Sequence, residues 1–422
     1  MSVTGAPMEA LAGCRVLELG STVAGPFCGR LLADFGAEVV KVEPPAGDPV
    51  RTMGKHVGDT SLYAASIFRN KSLIAVDLGT PGGRDVIRRL VVGFDVVIEN
   101  FRPGTLERWG LAYDDLRAIN PRIIMLRISG FGQDGPYRER PGYGFLGDAV
   151  SGLLGITGFP DRQPVRAPVP VTDMLTALYG AFGIATALLV RERTGLGQSI
   201  DAALYESSFS MMESHVPAYD KLGVSPPRSG SRLPGSTPNN LYPTRDDHVV
   251  AIAAASDSVF KRLAEVIGRA DLAVDPRFKE ARTRTKNEDA VDEAISAWTR
   301  THDLVEIEEL LRGADVPASR VFTLEDIFDD PHYRAREMLV SVPDAELGTI
   351  AMIAPVPKLS GTPARIKWAG RRTGEDTDRV LRELGDFTDA ELARLEAAGA
   401  IRRNAADTGH REKRDADPVH SV

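Results

Sequence analysis

The sequence predicts an α/β fold: a Rossmann-like large domain on a parallel sheet, followed by a smaller α+β domain. Three observations predict it. From Cys14 to Ser129, short β-rich runs alternate with stretches of helical apolar spacing. Gly and Pro punctuate the joints between them. The composition then shifts at Gly223–Pro243, a run rich in Gly, Pro and Ser. At 422 residues the chain has room for two or three domains, on a prior of about 150 residues each.

The first strand is Cys14–Leu19 (CRVLEL), which runs into Gly20–Gly25. Pro26 suits the opening of the next helix, with Phe27, Leu31, Leu32 and Phe35 on helical spacing and Gly36 at the C-cap. Glu38–Glu43 is the second strand, stopped by Pro44-Pro45. Strands follow at Leu73–Leu78, Asp95–Glu99 and Arg122–Ser129. A helix announced by Thr80-Pro81 and another around Leu106–Ile119 lie between them. Strands separated by helices imply right-handed crossovers and parallel pairing.

A long helix spans about Asp173 to Arg193 and ends at Gly195. A short strand at Ser199–Ala202 and a helix at Leu204–His215 complete residues 1–222, the N-terminal part of the large domain. Residues 223–243 read as a linker or lid loop. The small domain, 244–324, opens on a strand at Val249–Ala254, with Ser256-Asp257 as a helix cap. Amphipathic helices follow around Asn287–Thr299 and Leu304–Arg312. Residues 325–400 bring strand signals at Leu339–Val342 and Thr349–Ile353, then two short helices. The capping box Thr388-x-x-Glu391 opens the second of these. Residues 401–422, polar and mixed in charge, are predicted to be a disordered tail.

An apolar fraction of 43% and a charged fraction of 26% suit a globular protein with a sizeable core. The net charge of −8 argues against a nucleic-acid binder, which needs a basic face. It leaves room for an anionic small ligand held by local Lys and Arg. The two cysteines, Cys14 and Cys28, suit a reducing compartment and offer neither a disulfide framework nor a metal quartet. No basic-then-apolar leader is visible, and Gly or charge interrupts the apolar stretches before the about 20 residues of a membrane span. The expectation is a soluble cytoplasmic protein without a membrane or nucleic-acid partner.

No G-x-x-x-x-G-K-[ST] loop occurs, and the first strand-to-helix turn is Gly20-Ser21-Thr22-Val23-Ala24-Gly25, not G-x-G-x-x-G. A nucleotide triphosphatase and NAD are therefore disfavoured. H-E-x-x-H and G-x-S-x-G are also absent, no metal site is expected, and no histidine lies between residues 57 and 214. In a parallel sheet, ligands bind beyond the carboxyl ends of the strands. Those loops are Gly20–Pro26, Pro44–Arg51, Asn100–Gly104 and Gly130–Tyr137, with Arg51, Arg102 and Arg138 nearby. They are suited to a phosphorylated ligand, or are simply turns with solvated charges. Asp173 stands in the first turn of the long helix, where the dipole favours its ionised form. It is either a helix stabiliser or a nucleophilic carboxylate.

The stretches LAGCRVLELGSTVAGPFCGRLLADFGAEVVKVE, NKSLIAVDL, VIENFRPGTLERWGL and INPRIIMLRISGFGQDGPY add a family likeness. So do RPGYGFLGDAVSGLLGITG, VTDMLTALYGAFGIATALLVRERTGLGQSIDAALYES, DPRF, VPASRV and DIFDDPHYRAREM. In these, from about residue 10 to 400, the chain resembles the class III CoA-transferases, the group of formyl-CoA and carnitine CoA-transferases. The resemblance implies a large domain built from both chain ends, with 325–400 returning to it, an inserted small domain, and an interlocked homodimer. It places the nucleophile on Asp173. CoA contacts fall on Ala24, Asn70, Lys71, Asn100, Phe101, Arg102 and Arg108, with Tyr143 beside the active site. The chain departs from the family at Val23, where some members carry glutamine, and at Pro44-Pro45, which replaces a basic pair. Gly230–Asn239 replaces the glycine-rich lid of formyl-CoA transferases.

The implied activity is transfer of CoA from an acyl-CoA to a small carboxylic acid through an aspartyl-CoA thioester, with no metal or NAD. GSRLPGSTPNNLYPTRDD resembles members that use succinyl-CoA and dicarboxylic acids, and Arg232 is the candidate for a distal substrate carboxylate. One rival is an α-methylacyl-CoA racemase, which shares the fold but places a histidine where this chain has Tyr143. A phenol with a pKa near 10 is a poor base at neutral pH. Another is a non-catalytic acyl-CoA-binding subunit, against which the presence of Asp173 counts.

Overall fold

The computed structural model describes residues 8–404, which divide into two compact units. The larger comprises the described residues to Leu153, then Ala167–Ser214, then those from His332 onward; the smaller comprises Leu154–Arg166 and His215–Pro331.

The larger unit is built on a seven-stranded sheet. Its order is Ile401–Arg402, Lys71–Val76, Glu38–Glu43, Arg15–Glu18, Val96–Glu99, Ile124–Ser129, Ser199–Ala203. All neighbours pair in parallel except the Ile401–Arg402 edge, which runs antiparallel to Ala75 and Val76. Both faces are covered, which is why the strands read as near-continuous apolar runs rather than alternating ones. Leu17, Val40, Ile74, Val97 and Met125 point into one core layer, and Val16, Val39, Val96, Ile124 and Leu126 into the other. Leu17 pairs with Val40 on one side and Val97 on the other. Arg15–Glu18 is therefore where the winding reverses, and beyond the carboxyl end of such a strand is where open α/β sheets bind their ligands.

The long helix runs Val171–Thr194 and ends on Gly195 in the left-handed conformation, as its spacing predicts. Gly180 lets it approach the sheet: a Cβ there would stand 2.6 Å from Leu126 Cδ2 and 3.5 Å from Cys28 Sγ. By length and composition alone this helix is also long and apolar enough to cross a membrane. The expectation that no apolar stretch reaches that length is thus corrected. Gly and Ala, which interrupt the run by eye, barely lower its hydropathy.

Other boundaries move as well. The helix expected over Leu106–Ile119 is two helices, Thr105–Trp109 and Tyr113–Ile119, because Gly110 adopts φ +62° between them. The supposed linker contains a strand, Asn239–Pro243, which pairs antiparallel with Val249–Ala253 in the smaller unit. The smaller unit is wider than 244–324, because Gly158 bridges Gly230, and Arg228 donates to the carbonyls of Phe159, Pro160 and Arg162. Its core gathers Tyr242, Ile252, Phe260, Leu263, Ile295, Ile307 and Leu311 beneath a three-stranded sheet. Ile401–Arg402 is ordered as the sheet edge, correcting the start of the predicted tail. The rest of that tail, from residue 405, lies outside the described residues.

Candidate active site

Two loops meet at the point where the sheet reverses. Asn100 Oδ1 accepts the Ser21 N–H at 2.7 Å, and Asn100 Nδ2 donates to the Ser21 carbonyl at 2.8 Å. One side-chain amide thus staples the turn after the first strand to the loop after Val96–Glu99. Glycine is needed for that approach: a Cβ on Gly20 would stand 3.0 Å from Asn100 Oδ1 and 3.2 Å from the Gly25 Cα. The turn holds Thr22 at φ +68°, a conformation non-glycine residues rarely adopt.

A buried ionic layer supports the turn from below. Lys41, fully buried, donates to the Gly20 carbonyl and pairs with Asp48 at 2.9 Å, while Asp48 accepts the Thr22 N–H at 3.1 Å. Burial alone would lift the Asp48 carboxyl, but Lys41 and the N–H groups of Val50 and Thr22 outweigh it and hold it below the usual range. Lys71 bonds Glu18 at 2.6 Å and the Pro26 carbonyl at 2.7 Å. Burial pushes Glu18 up and Lys71 down, each against the pull of the other.

Asp173 enters from the helix that crosses back over the sheet before Ser199–Ala203. A crossover helix starts on the carboxyl side of a parallel sheet, so the first turn of Val171–Thr194 lies on the ligand-binding side. The Asp173 side chain is half-buried, and its Oδ2 occupies the space that a side chain on Gly144 would need. Gly144 opens the short helix Gly144–Val150. Tyr63 is near enough that, after burial, the Asp173 charge raises its phenol above the ordinary range, with Arg30 pulling the other way. The Tyr63 hydroxyl is buried and makes no hydrogen bond among the described residues. The Asp173 carboxylate, half-buried in the first turn of its helix, is an arrangement that can hold a nucleophile.

The candidates from sequence do not all converge. Asn100 and Phe101 sit in the stapled loop, where the Phe101 N–H donates to Glu99 Oε2 at 2.8 Å and its ring packs edge-on against Trp109. Arg102 and Arg108 are exposed beside it, Arg108 reaching Thr105 Oγ1 at 3.1 Å. Ala24 is buried at the start of its helix and offers backbone alone, and Tyr143 is 72% exposed just before Gly144.

The side chains of Asn70 and Lys71, two of the expected CoA-contacting positions, have partners within the protein. Asn70 is spent on Asp34 and on the backbone of Arg365 and Lys367. Lys71 is fully buried on Glu18. Arg232, the candidate for a distal substrate carboxylate, has its three guanidinium nitrogens on Asp292 at 2.7 Å, Asp289 at 2.8 Å and Glu288 at 3.3 Å within the smaller unit. These pairs use three of its five N–H donors. Sequence reasoning missed Tyr63 and Gly144. The signal for Gly144 lay in the Pro-Gly-Tyr-Gly run; for Tyr63 it lay in Ser61, whose hydroxyl caps the helix Leu62–Ile67.

Among the described residues no group of three or more His, Cys, Asp or Glu is arranged to hold a metal ion. Cys14 and Cys28 are unpaired with each other, and burial pushes the Cys14 thiol up to about 12.

Comparison with known proteins agrees with the resemblance. The chain is 44% identical over 397 residues to a succinyl-CoA–D-citramalate CoA-transferase of Chloroflexus aurantiacus, covering 94% of this chain and 99% of that one. It is 36% identical over 383 residues to a succinate–glutarate CoA-transferase of Agrobacterium fabrum, covering 89% and 95%. The crystal structure of a CAIB/BAIF family protein from Brucella suis superimposes with a TM-score of 0.79 at 35% identity, covering 89% and 99%. Residues 11–377 match the family model described as CoA-transferase family III, and the chain belongs to that family.

Proposed function

We propose that this enzyme transfers CoA from succinyl-CoA to a small dicarboxylic acid, with Asp173 as the nucleophile. The observation that carries the reading is the half-buried Asp173 carboxylate, set against Gly144 in the first turn of Val171–Thr194. The relatives named above supply the substrate class. Asp173 attacks the thioester carbonyl, a C–O bond forms and the C–S bond breaks, leaving a mixed anhydride and CoA thiolate. The aspartyl carbonyl then takes the thiolate while its C–O bond to succinate breaks, which leaves an aspartyl-CoA thioester and releases succinate. An acceptor carboxylate attacks that thioester, and the same two exchanges in reverse deliver its CoA ester and restore Asp173. No net proton is consumed.

Arg102 and Arg108, exposed beside the stapled loop, suit the CoA phosphates. The exposed apolar face of Val171–Thr194 supports an interlocked homodimer, in which a second copy rather than lipid covers the helix. We place the protein in the cytoplasm, with neither membrane nor nucleic acid as partner.

The test is Asp173→Asn. Transfer from succinyl-CoA should fall by at least about 10⁴-fold, an effect on the scale of losing a covalent nucleophile, with the fold unchanged by circular dichroism. Wild-type enzyme quenched with succinyl-CoA in the absence of acceptor should carry a hydroxylamine-sensitive CoA mass on the peptide containing Asp173. Wild-type rates in the variant would end the assignment.

A further inference from the structure

We propose that Asp148 and Ser208 are positioning residues for the nucleophile, acting through the hydroxyl of Thr172. The inference rests on Asp173 being that nucleophile.

Thr172 Oγ1 donates to Asp148 Oδ1 and lies 2.5 Å from Ser208 Oγ. Thr172 is 1% exposed and Ser208 fully buried, while Asp148 is half-buried. The direction of the chain follows from proton counting. A carboxylate has only lone pairs to offer, so the single Thr172 proton goes to Asp148 and Ser208 must donate to Thr172. Three helices are joined by this one hydroxyl: Gly144–Val150 through Asp148, Val171–Thr194 through Thr172, and Leu204–Phe209 through Ser208.

The neighbouring hydroxyls show what is unusual here. Thr176, Thr186 and Thr194 on the same helix each bond the carbonyl four residues back, as does Ser207 on the next. That is the local default for a helical hydroxyl. Thr172, in the first turn, reaches across to two other helices instead. Its methyl is fixed as well: a Cβ on Gly147 would stand 3.0 Å from Thr172 Cγ2. Gly144 and Gly147, three residues apart on one helix face, thus close on the consecutive residues Asp173 and Thr172. The peptide that carries the nucleophile is held from both sides at the residue before it. A displacement of about 1 Å in a reacting group can cost about 10²-fold in rate, so this anchoring belongs in kcat and not in substrate affinity.

The experiment compares Thr172→Val, Thr172→Ser, Asp148→Asn and Ser208→Ala with wild type and Asp173→Asn. It measures kcat and KM for succinyl-CoA, thermal midpoint, and the amount of Asp173-CoA thioester trapped on the millisecond scale. Thr172→Val keeps the shape and removes both bonds, and kcat and adduct formation should fall about 30- to 100-fold with KM within about twofold. Thr172→Ser should restore kcat to within about threefold. Asp148→Asn keeps an acceptor and should fall between the two, as should Ser208→Ala, and these two variants carry the test if Thr172→Val does not fold. A Thr172→Val enzyme with kcat within threefold of wild type, while Asp173→Asn is inactive, overturns the positioning role alone. Equal losses in Thr172→Ser and Thr172→Val overturn it too, since the hydroxyl would then be irrelevant. An active Asp173→Asn overturns the nucleophile beneath it.

Discussion

A methyl group on Gly144 would overlap Asp173 Oδ2 and stand 2.8 Å from its Cγ. The nearby chain cannot yield easily, because a Cβ on Gly147, one turn along the same short helix, would already press on Thr172 and Leu204. Gly144→Ala must therefore turn the carboxylate away. Its kcat should fall by about 10²-fold or more, with succinyl-CoA still binding, as steady-state kinetics and calorimetry would show. Unchanged kcat would mean that the carboxylate works from another rotamer. The same scale shows the limit of residue type as a guide. Asn70, Lys71 and Arg232 have the right chemistry for a phosphorylated or carboxylated ligand, and residue type is what a sequence displays. Where each side chain points depends on partners far along the chain, such as Asp34 and Lys367 for Asn70 or Glu18 for Lys71.

Among the elements, the strand Val96–Glu99 and its loop carry a pH dependence. Glu99, 1% exposed, accepts Arg127 Nε at 2.8 Å and the Phe101 N–H at 2.8 Å. Burial raises its carboxyl from 4.5 to about 7 despite Arg127 and Phe101, with Glu107 adding in the same direction as burial. The folded state thus holds a proton that the unfolded chain gives up earlier. This contribution to stability is complete below about 4.5 and is lost as pH rises through about 7. Glu99→Gln should flatten the stability profile between those values, read from urea midpoints at several pH values. A variant whose profile still declines as in wild type would place the titration elsewhere. Helix and strand types were largely legible, because periodicity is local. The break at Gly110 and the strand hidden at Asn239–Pro243 were not: φ at one glycine and pairing with Val249–Ala253 lie outside any local pattern.

At the scale of the molecule, the helix that carries Asp173 leaves a broad apolar face open, with Leu178, Phe182 and Leu189 at 52%, 71% and 66% exposure. Covering Phe182 alone is worth about 1.5–3 kcal/mol per copy. Phe182→Asp should therefore weaken self-association by about 10- to 100-fold, seen as a shift toward monomer, or loss of soluble protein, in light scattering at micromolar concentration. A dimer of unaltered affinity would mean that another surface holds the copies together.

Asp173 stands at the start of a long apolar run whose length, glycine stop and neighbouring motifs are all local, and so the sequence by itself determined the parallel sheet and the family. Which groups surround that carboxylate was decided by tertiary structure alone. Gly144, Tyr63 and the Asp148–Thr172–Ser208 chain come from separate segments, brought together only because two cores bury both faces of one sheet. Packing of that kind settles the direction of every polar side chain near it. It turned Asn70, Lys71 and Arg232 inward and left the Tyr63 hydroxyl without a bond.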